Sequence, residues 1–237
     1  MIKVKDAQKL MRYMNQYNIN DIFTKDMIPL MELLLFKKGE FMLKEGEKIP
    51  YLLFLTEGKA KVFTSLSNGK SLLLCFYQGF KVLGDLEAVD SINAVTNVQA
   101  IEDTYCIGIS YNNVNKYLLD DTKFLRYICS SLGGKLNRCS NNSSINLLYP
   151  LENRLASYIY TAGERVIIKS SNINQDKTVI RFDENLTEIA ELLGTSYRHL
   201  LRTLSELCEK NIINKDGRRY TVIDEKTLRE LSADLYQ

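Results

Sequence analysis

The segment from Asn185 to Glu209 constrains the fold more than any other part of the chain. Asn185 is suited to cap a helix, and Glu188 follows three residues later, as in a capping box. Gly194 supplies the left-handed turn that ends this helix, and Ser196 is suited to cap a second one. The two inner faces are formed by Leu186, Ile189, Ala190, Leu193, Leu200, Leu201, Leu204 and Leu207. This pattern predicts a helix-turn-helix whose second helix spans about 196–209.

The N-terminal end and outer face of the second helix carry polar and basic side chains. The candidates are Ser196, Tyr197, Arg198, His199, Arg202 and Thr203. In helix-turn-helix proteins this end of the second helix enters the major groove of DNA. Arg198 and Arg202 share a side of the helix, and an arginine forks to O6 and N7 of guanine. The alternative is an ordinary helical hairpin with solvated arginines, but the caps, the glycine and the leucines together favour DNA binding.

A hairpin follows the second helix. Ile212–Lys215 and Arg219–Val222 have the pattern of paired strands around Asp216-Gly217, a dipeptide that favours a two-residue hairpin turn. The basic residues at or near its tip are Lys215, Arg218 and Arg219. The sequence therefore predicts a wing that contacts DNA phosphates.

The excess of basic residues is confined to one short segment of the chain. Residues 197–220 contain six basic and three acidic side chains, whereas residues 150–237 contain 13 basic and 14 acidic ones. The formal charge of the whole chain is only +2. DNA binding is therefore expected to depend on a narrow basic face and to weaken with salt, because phosphate contacts release counterions.

The region from Leu34 to Ser110 has the pattern of a small β-roll. Strand-like runs lie at Tyr51–Leu55, Lys61–Thr64, Ser71–Tyr77, Asn97–Ile101 and Thr104–Ile109. The turn signals between them are Lys38-Gly39, Glu45-Gly46, Glu57-Gly58, Asn68-Gly69 and Gln78-Gly79, of which Asn68-Gly69 is the strongest hairpin signal. Residues 1–32 are instead predicted to be helical, because apolar residues from Val4 to Met14 recur at helical spacing.

After Tyr111 the apolar spacing becomes helical and predicts one long helix of about Tyr111–Cys139. Its stripe contains the candidate dimerisation residues Leu118, Leu125, Ile128, Leu132 and Leu136. This stripe packs either on its own domain or on a second copy of itself. Gly133-Gly134 lies in mid-helix and indicates close backbone approach or a place where the helix yields. The polar residues 141–144 predict a hinge.

The amino-acid composition restricts the class of protein to which the chain can belong. Hydrophobic residues make up 45% and charged residues 25% of the 237 residues, the balance of a soluble globular protein. The five cysteines include no C-x-x-C pair, which favours reduced thiols over a disulfide framework. The N-terminus lacks the apolar run of a secretory signal. A cytoplasmic protein without membrane contact is expected.

The whole arrangement resembles the Crp/Fnr family of bacterial transcription factors. In the N-terminal half the resemblance runs through Lys38–Phe41, Tyr51–Phe63, Asn68-Gly69 and Gly84-Asp85-Leu86, which are similar to the glycine-marked turns of a cyclic-nucleotide-binding β-roll. The resemblance implies an α+β protein in three parts. These are a β-roll with N-terminal helices at 1–110, a dimerisation helix and hinge at 111–144, and a winged helix-turn-helix at 145–237.

The resemblance also implies the partners. A homodimer would read a near-palindromic DNA operator with half-sites about 34–36 Å apart. RNA polymerase and a small-molecule effector are further candidate partners. Many relatives carry glutamate where Arg198 stands, so the operator is expected to differ from the common one, whereas Arg202 matches an arginine that relatives often retain.

The effector pocket departs from the family pattern. Its candidate residues are Gly84, Asp85, Leu86, Ala94, Val95, Cys139 and Ser140. Cyclic-AMP binders hold the phosphate with an Arg-Ser or Arg-Thr pair, and this position is Ala94-Val95 here. Without the arginine fork, cyclic AMP is not expected to bind.

No cofactor and no metal site are expected. The iron–sulfur members use clustered N-terminal cysteines, and this chain has no cysteine before Cys75. The single histidine, His199, lies on the recognition helix and not in the roll, which argues against heme and against a metal-dependent enzyme built on the β-roll. A non-enzymatic, DNA-binding regulator is expected. The alternative is a ligand- or redox-sensing signalling protein that acts through protein contacts.

Overall fold

The computed structural model describes residues 1–65, 71–90, 92–168, 177–182, 185–233 and 235. The chain divides into two compact units. The N-terminal unit contains Met1–Ser65 and Leu74–Ser140, and the C-terminal unit is built mainly from Asn141–Gln237. In the described part of the chain, no helix is both long and apolar enough to cross a membrane. The functional division at residues 110 and 144 stays a prediction.

Two antiparallel sheets form the body of the N-terminal unit. The strands are β1 (Ile2–Val4), β2 (Met31–Phe36), β3 (Phe41–Leu43), β4 (Tyr51–Glu57), β5 (Lys59–Ser65), β6 (Ser71–Gln78), β7 (Lys81–Leu83), β8 (Asn97–Ala100) and β9 (Thr104–Ser110). The helices are α1 (Ala7–Gln16), α2 (Asp85–Asp90), α3 (Tyr111–Tyr117) and α4 (Thr122–Leu148), with short 3-10 turns at Ile19–Ile22 and Ile28–Leu30.

The sheets have the strand orders β1-β2-β9-β4-β7 and β3-β8-β5-β6. Buried side chains from both sheets, among them Leu34, Leu55, Val62 and Val98, form one apolar core between them. This is the β-roll that the sequence predicts, and all five predicted strands are present. The hairpin turn at Asn68-Gly69 lies outside the described residues.

The turn residue Gly58 shows why the roll depends on glycines in its turns. Its φ of +103° lies in the left-handed region, where side chains are disfavoured. A Cβ at this position would lie 2.6 Å from Thr104 Oγ1 and 2.8 Å from the carbonyl oxygen of Asp103. Only glycine therefore fits between the strands at this turn.

The prediction that residues 1–32 are helical is wrong at the start of the chain. Ile2–Val4 forms an edge strand that pairs antiparallel with Leu33–Leu35. Helical spacing is correct only from Ala7 to Gln16. Three residues carry too little periodicity to distinguish strand from helix, and the open edge of β2 decides the outcome.

The predicted single helix of about Tyr111–Cys139 is two helices. Leu118 ends α3, and the Asp121 carboxylate then accepts hydrogen bonds from the backbone N–H groups of Lys123 (3.0 Å) and Phe124 (3.2 Å). This side chain caps α4 and starts a new helix at Thr122. The sequence signal for the break is the Asp121-Thr122 pair.

Residues 141–144 do not break the helix as predicted, because α4 continues through them to Leu148, but the boundary between the two units falls at Asn141. That this segment acts as a hinge stays a prediction. Asparagine and serine cost a helix well under about 1 kcal/mol each, too little to end it without glycine or proline. The helix ends just before Pro150, which disfavours helical backbone at the residue that precedes it.

The described part of the C-terminal unit combines four helices, α5 to α8, with a small sheet. Its elements are α5 (Leu151–Ala162), β10 (Glu164–Ile168), β11 (Lys177–Phe182), α6 (Leu186–Leu192), α7 (Tyr197–Glu209), β12 (Ile213–Asp216), β13 (Arg219–Val222) and α8 (Glu225–Ser232). The sheet order β10-β11-β13-β12 makes the predicted wing the edge of a four-stranded sheet. The sequence pattern predicts the wing and the two helices before it, but not β10, β11 or α8.

Candidate functional site

Two side-chain caps and one glycine define the helix-turn-helix. Asn185 Oδ1 accepts the backbone N–H of Thr187 at 3.0 Å, which caps α6. Ser196 Oγ accepts the backbone N–H of His199 at 3.2 Å, which caps α7. Gly194 has a φ of +62°, the left-handed conformation that turns the chain between them. The predicted caps and turn are confirmed.

The inner faces of α6 and α7 form a buried apolar core. Its fully buried members include Ile189, Ala190, Leu193, Leu200, Leu204 and Leu207. Arg154 of α5 donates a hydrogen bond to the carbonyl oxygen of Leu193, at the carboxyl end of α6. Sequence reasoning missed this arginine, since nothing in its spacing connects it with the turn. The core and this anchor fix the position of α7 on the unit.

The outer face of α7 presents its polar residues to solvent. Tyr197, Arg198, His199 and Arg202 are all exposed. The Arg202 side chain is 70% exposed, and its Nε lies 3.6 Å from Glu206 Oε1. An exposed pair at this distance contributes little stability, so the guanidinium is available to a partner. His199 Nδ1 lies 3.3 Å from Thr195 Oγ1.

Thr203 is the one candidate on α7 that the structure contradicts. It is only 3% exposed, and its hydroxyl donates to the carbonyl oxygen of His199 at 3.1 Å. Position 203 falls between Leu200 and Leu207 on the inner stripe of the helix, three and four residues from them. The prediction that Thr203 faces DNA is therefore wrong.

The wing carries its basic side chains on an anchored hairpin. Lys215, Arg218 and Arg219 are exposed, as the sequence predicts. Tyr220 pairs with Lys215 across the hairpin and is 3% exposed, with its ring centroid 6.4 Å from that of Phe182 on β11. This aromatic contact ties the wing to the rest of the sheet. The C-terminal unit therefore presents basic groups from α7 and from the wing.

The N-terminal unit contains a cavity of about 210 Å³ between the roll and α4. It brings together five of the seven predicted effector residues, Gly84, Asp85, Leu86, Val95 and Cys139. The other two, Ala94 and Ser140, do not line the cavity. Ala94 is 3% exposed and packs in the core of the roll, and the role of Ser140 stays a prediction.

An ion pair between Asp85 and a lysine of α4 lines this cavity. Asp85 is 1% exposed, and its Oδ1 lies 2.5 Å from Lys135 Nζ of α4. Ser131 Oγ donates to Asp85 Oδ2 at 3.0 Å, and Lys135 Nζ also donates to the carbonyl oxygen of Val82 at 2.8 Å. Sequence reasoning found Asp85 but missed both partners on the helix.

A second buried carboxylate lies beside Val95. Glu87 is 3% exposed, and its Oε1 accepts the backbone N–H of Val95 at 3.1 Å. The Glu87 carboxylate therefore occupies a backbone donor at the edge of the cavity and adds a negative charge there.

Four of the five cysteines are either buried or exposed, and the fifth, Cys208, is half-buried. Cys75 and Cys106 are buried, and burial raises the pKa of both thiols, that of Cys75 to about 12. Cys129 and Cys139 are exposed on α4. Among the described residues, no three histidine, cysteine, aspartate or glutamate side chains are grouped so as to hold a metal ion.

Comparison with known proteins matches both units to protein families. A cyclic nucleotide-binding domain model matches residues 33–121, and a Crp-like helix-turn-helix domain model matches residues 153–231. Two transcriptional regulators of the CRP and CRP/FNR families from Thermus thermophilus have similar structures. Each superimposes with a TM-score of 0.63 at 18% identity over 86% of this chain, covering 98% and 100% of the other chain. This likeness establishes the fold.

Curated relatives extend over nearly the whole chain. The regulatory protein YeiL of Escherichia coli O157:H7 is 29% identical over 222 residues, which cover 94% of this chain and 95% of the relative. A CRP-like cAMP-activated global transcriptional regulator of Mycobacterium tuberculosis is 20% identical and covers 81% of this chain and 84% of its own. Both family models, the order of the two units and these relatives agree: the chain belongs to the Crp/Fnr family and is a DNA-binding transcription regulator.

Proposed function

We propose that the protein acts as a homodimer that binds a near-palindromic DNA operator in a sequence-specific manner, without cyclic AMP. The recognition helix α7 enters the major groove, and the wing contacts phosphates. The proposed DNA contacts are Ser196, Tyr197, Arg198, His199, Arg202, Lys215, Arg218 and Arg219. The observation that carries the proposal is the exposure of Arg198 and Arg202 on a helix that is capped at its start and buried along its inner face.

Footprinting of purified protein on genomic promoter fragments at physiological salt tests this function. The expected result is a protected near-palindrome whose half-sites lie about one helical turn apart. Lys38→Ala, which removes an exposed charge from the N-terminal unit, is the matched control and should leave the footprint unchanged. Equal affinity for the promoter fragments and for random DNA would overturn sequence-specific binding.

The proposed dimer interface keeps only one end of the predicted leucine stripe. Leu118 and Ile128 are buried in the core of the N-terminal unit, so they are wrong as dimerisation residues. Leu125 and Leu132 pack partly against the same core. Leu136, by contrast, is 71% exposed.

The exposed residues of α4 support close pairing of this helix with α4 of a second copy. Cys129, Gly133, Leu136 and Ser140 recur at steps of three and four and are all exposed, which places them along one side of the helix. Small residues beside a single leucine permit close approach of a second helix. We therefore assign the dimer contact to this face, centred on Leu136.

Two features of the pocket support independence from cyclic AMP. Ala94 replaces the phosphate-binding arginine, and the Glu87 carboxylate takes the neighbouring backbone N–H. A phosphate there would lack the charge-assisted fork and would meet a like charge. Isothermal titration calorimetry of the full chain with cyclic AMP should give no binding heat, and DNA affinity should be the same with and without it. A cyclic-AMP-dependent rise in operator affinity would contradict this part of the proposal.

A further inference from the structure

The guanidinium of Arg154, on the first turn of α5, bonds two backbone carbonyl groups. One of its terminal N–H groups donates to the carbonyl oxygen of Leu193, the residue that directly follows α6. Its Nε donates to the carbonyl oxygen of Tyr149 at 3.3 Å, and Tyr149 lies between the end of α4 and the start of α5. A single side chain therefore joins the α4–α5 junction to the end of α6, although the two segments are remote in sequence.

The carbonyl group of Leu193 stands at the start of the turn that leads into the recognition helix. Gly194 follows it and turns the chain, and Ser196 then caps α7. The last carbonyl groups of a helix have no partner within the helix and carry partial negative charge. A guanidinium is always charged and forms a stronger bond to such a group than a neutral donor does. The bond from Arg154 therefore holds the backbone just before the cap of α7.

The other end of α7 is attached to the same turn of α5. Lys210 directly follows α7, and its Nζ lies 2.5 Å from Glu152 Oε1. The Glu152 side chain is 24% exposed, so this ion pair is partly shielded from water. The turn before the recognition helix and the residue after it are therefore both bonded to the start of α5. A helix that is held at both ends has a fixed direction as well as a fixed position.

We propose that Arg154 is a positioning residue for DNA recognition, which sets the direction of α7 relative to the α4–α5 junction. The inference rests on the proposed homodimer, in which α4 carries the dimer contact. In such a dimer the direction of each α7 determines the separation and the angle at which the two recognition helices enter the major groove. Arg154 then determines which spacing of half-sites the protein accepts, whereas Arg198 and Arg202 determine which bases it reads.

Operators with altered spacing between their half-sites test this role. The wild-type protein should bind one spacing best and lose affinity when one base pair is inserted or removed. Arg154→Ala should bind the best operator about tenfold more weakly, because a charge-assisted bond is lost, and should lose most of its preference for one spacing. Base discrimination within each half-site should not change, since no base contact is removed. Arg154→Lys keeps the charge but not the fork of donors, so its spacing preference should be intermediate.

Asn153→Ala is the matched control. Asn153 lies on the same turn of α5 and is also half-buried, but its Nδ2 donates to the carbonyl oxygen of Leu231 on α8 at 2.9 Å. This variant loses one hydrogen bond of the C-terminal unit without releasing α6 or α7, so its spacing preference should equal that of the wild-type protein. Glu152→Gln weakens the attachment at the other end of α7 and should reduce the spacing preference.

Three results would overturn the role of Arg154. An unchanged spacing preference in folded Arg154→Ala would show that this arginine does not direct α7. An equal loss of spacing preference in Asn153→Ala would show that any bond lost from this turn has the same effect. An equal loss of affinity for operators and for random DNA, with a salt slope reduced by about 1, would show that Arg154 contacts a phosphate instead.

Failure of the proposed function would look different, because it would be visible in the wild-type protein. Wild-type protein without any preference for sequence or spacing would contradict the DNA-reading homodimer, and the role of Arg154 would fall with it. Circular dichroism and urea denaturation of each variant establish that a changed spacing preference does not reflect unfolding. If Arg154→Ala does not fold, Arg154→Lys and Glu152→Gln provide the same comparison with Asn153→Ala.

Discussion

At the scale of single residues, Arg202 and Lys215 should play different parts in DNA binding. Arg202 is exposed on the recognition helix, where a guanidinium forks to guanine, whereas Lys215 lies on the wing. Arg202→Ala should cost about 1–3 kcal/mol of discrimination at one base pair. Lys215→Ala should weaken binding to all sequences alike and reduce the salt slope by about 1. Affinities for operator variants at several salt concentrations measure both effects. An equal loss of affinity for all operator variants in Arg202→Ala would show that Arg202 contacts a phosphate and not a base.

Thr203 should matter to stability and not to DNA recognition, because it lies on the inner face of α7. Thr203→Val keeps its shape and removes only the hydrogen bond to His199. The free energy of unfolding should fall by no more than about 1 kcal/mol, and operator discrimination should not change. Urea denaturation and operator binding of the same sample measure the two effects. A loss of operator affinity at one base pair only would show that Thr203 contacts DNA after all.

Residue-level prediction succeeds where one side chain determines the local backbone. Asn185, Gly194 and Ser196 are of this kind, since capping bonds and a left-handed turn need only near neighbours. It fails for Thr203, Lys135 and Arg154, whose roles depend on what packs beside them. The partners of Lys135 and Arg154 are about 40 to 50 residues away in sequence, so spacing along the chain carries no signal for them.

At the scale of elements, two turn glycines provide a matched pair. Gly46 and Gly58 both have left-handed backbone, but a Cβ at Gly46 would meet no atom within 4 Å, whereas one at Gly58 would clash with Thr104 and Asp103. Gly46→Ala should cost about 1–2 kcal/mol through backbone strain alone. Gly58→Ala should cost about 1–3 kcal/mol more, because overpacked atoms must move. Urea denaturation measures the difference, and equal costs would show that the turn relaxes freely.

Element prediction follows the same division between local and distant causes. The roll strands are correct because glycine turns separate them about every ten residues. The edge strand β1 and the strands β10 and β11 are missed, since their pairing partners are remote in sequence or their pattern is weak. The break between α3 and α4 is missed because the apolar stripe continues through it, although Asp121 signals a new helix start.

At the scale of the whole molecule, the helix pair proposed for dimerisation explains Gly133. A glycine costs a helix about 1 kcal/mol relative to alanine, and a Cβ at this position would meet none of the described atoms outside its own stretch of helix within 4 Å. Packing among the described residues therefore does not require a glycine here. The proposed close approach of a second copy does require a small residue, and this compensates for the cost in helix stability.

Gly133→Ala should therefore separate folding from assembly. Alanine should stabilise α4 by about 1 kcal/mol, so the melting temperature of dilute, monomeric protein should stay the same or rise. The dimer dissociation constant should increase, and operator affinity should fall with it, because the two recognition helices are no longer held one helical turn apart. Analytical ultracentrifugation measures the dissociation constant and operator titration measures the DNA affinity. Gly134→Ala, the same change one residue along and off the proposed face, is the matched control. Unchanged dimerisation in Gly133→Ala would place the dimer contact on another surface and leave the exposed Leu136 without its proposed partner.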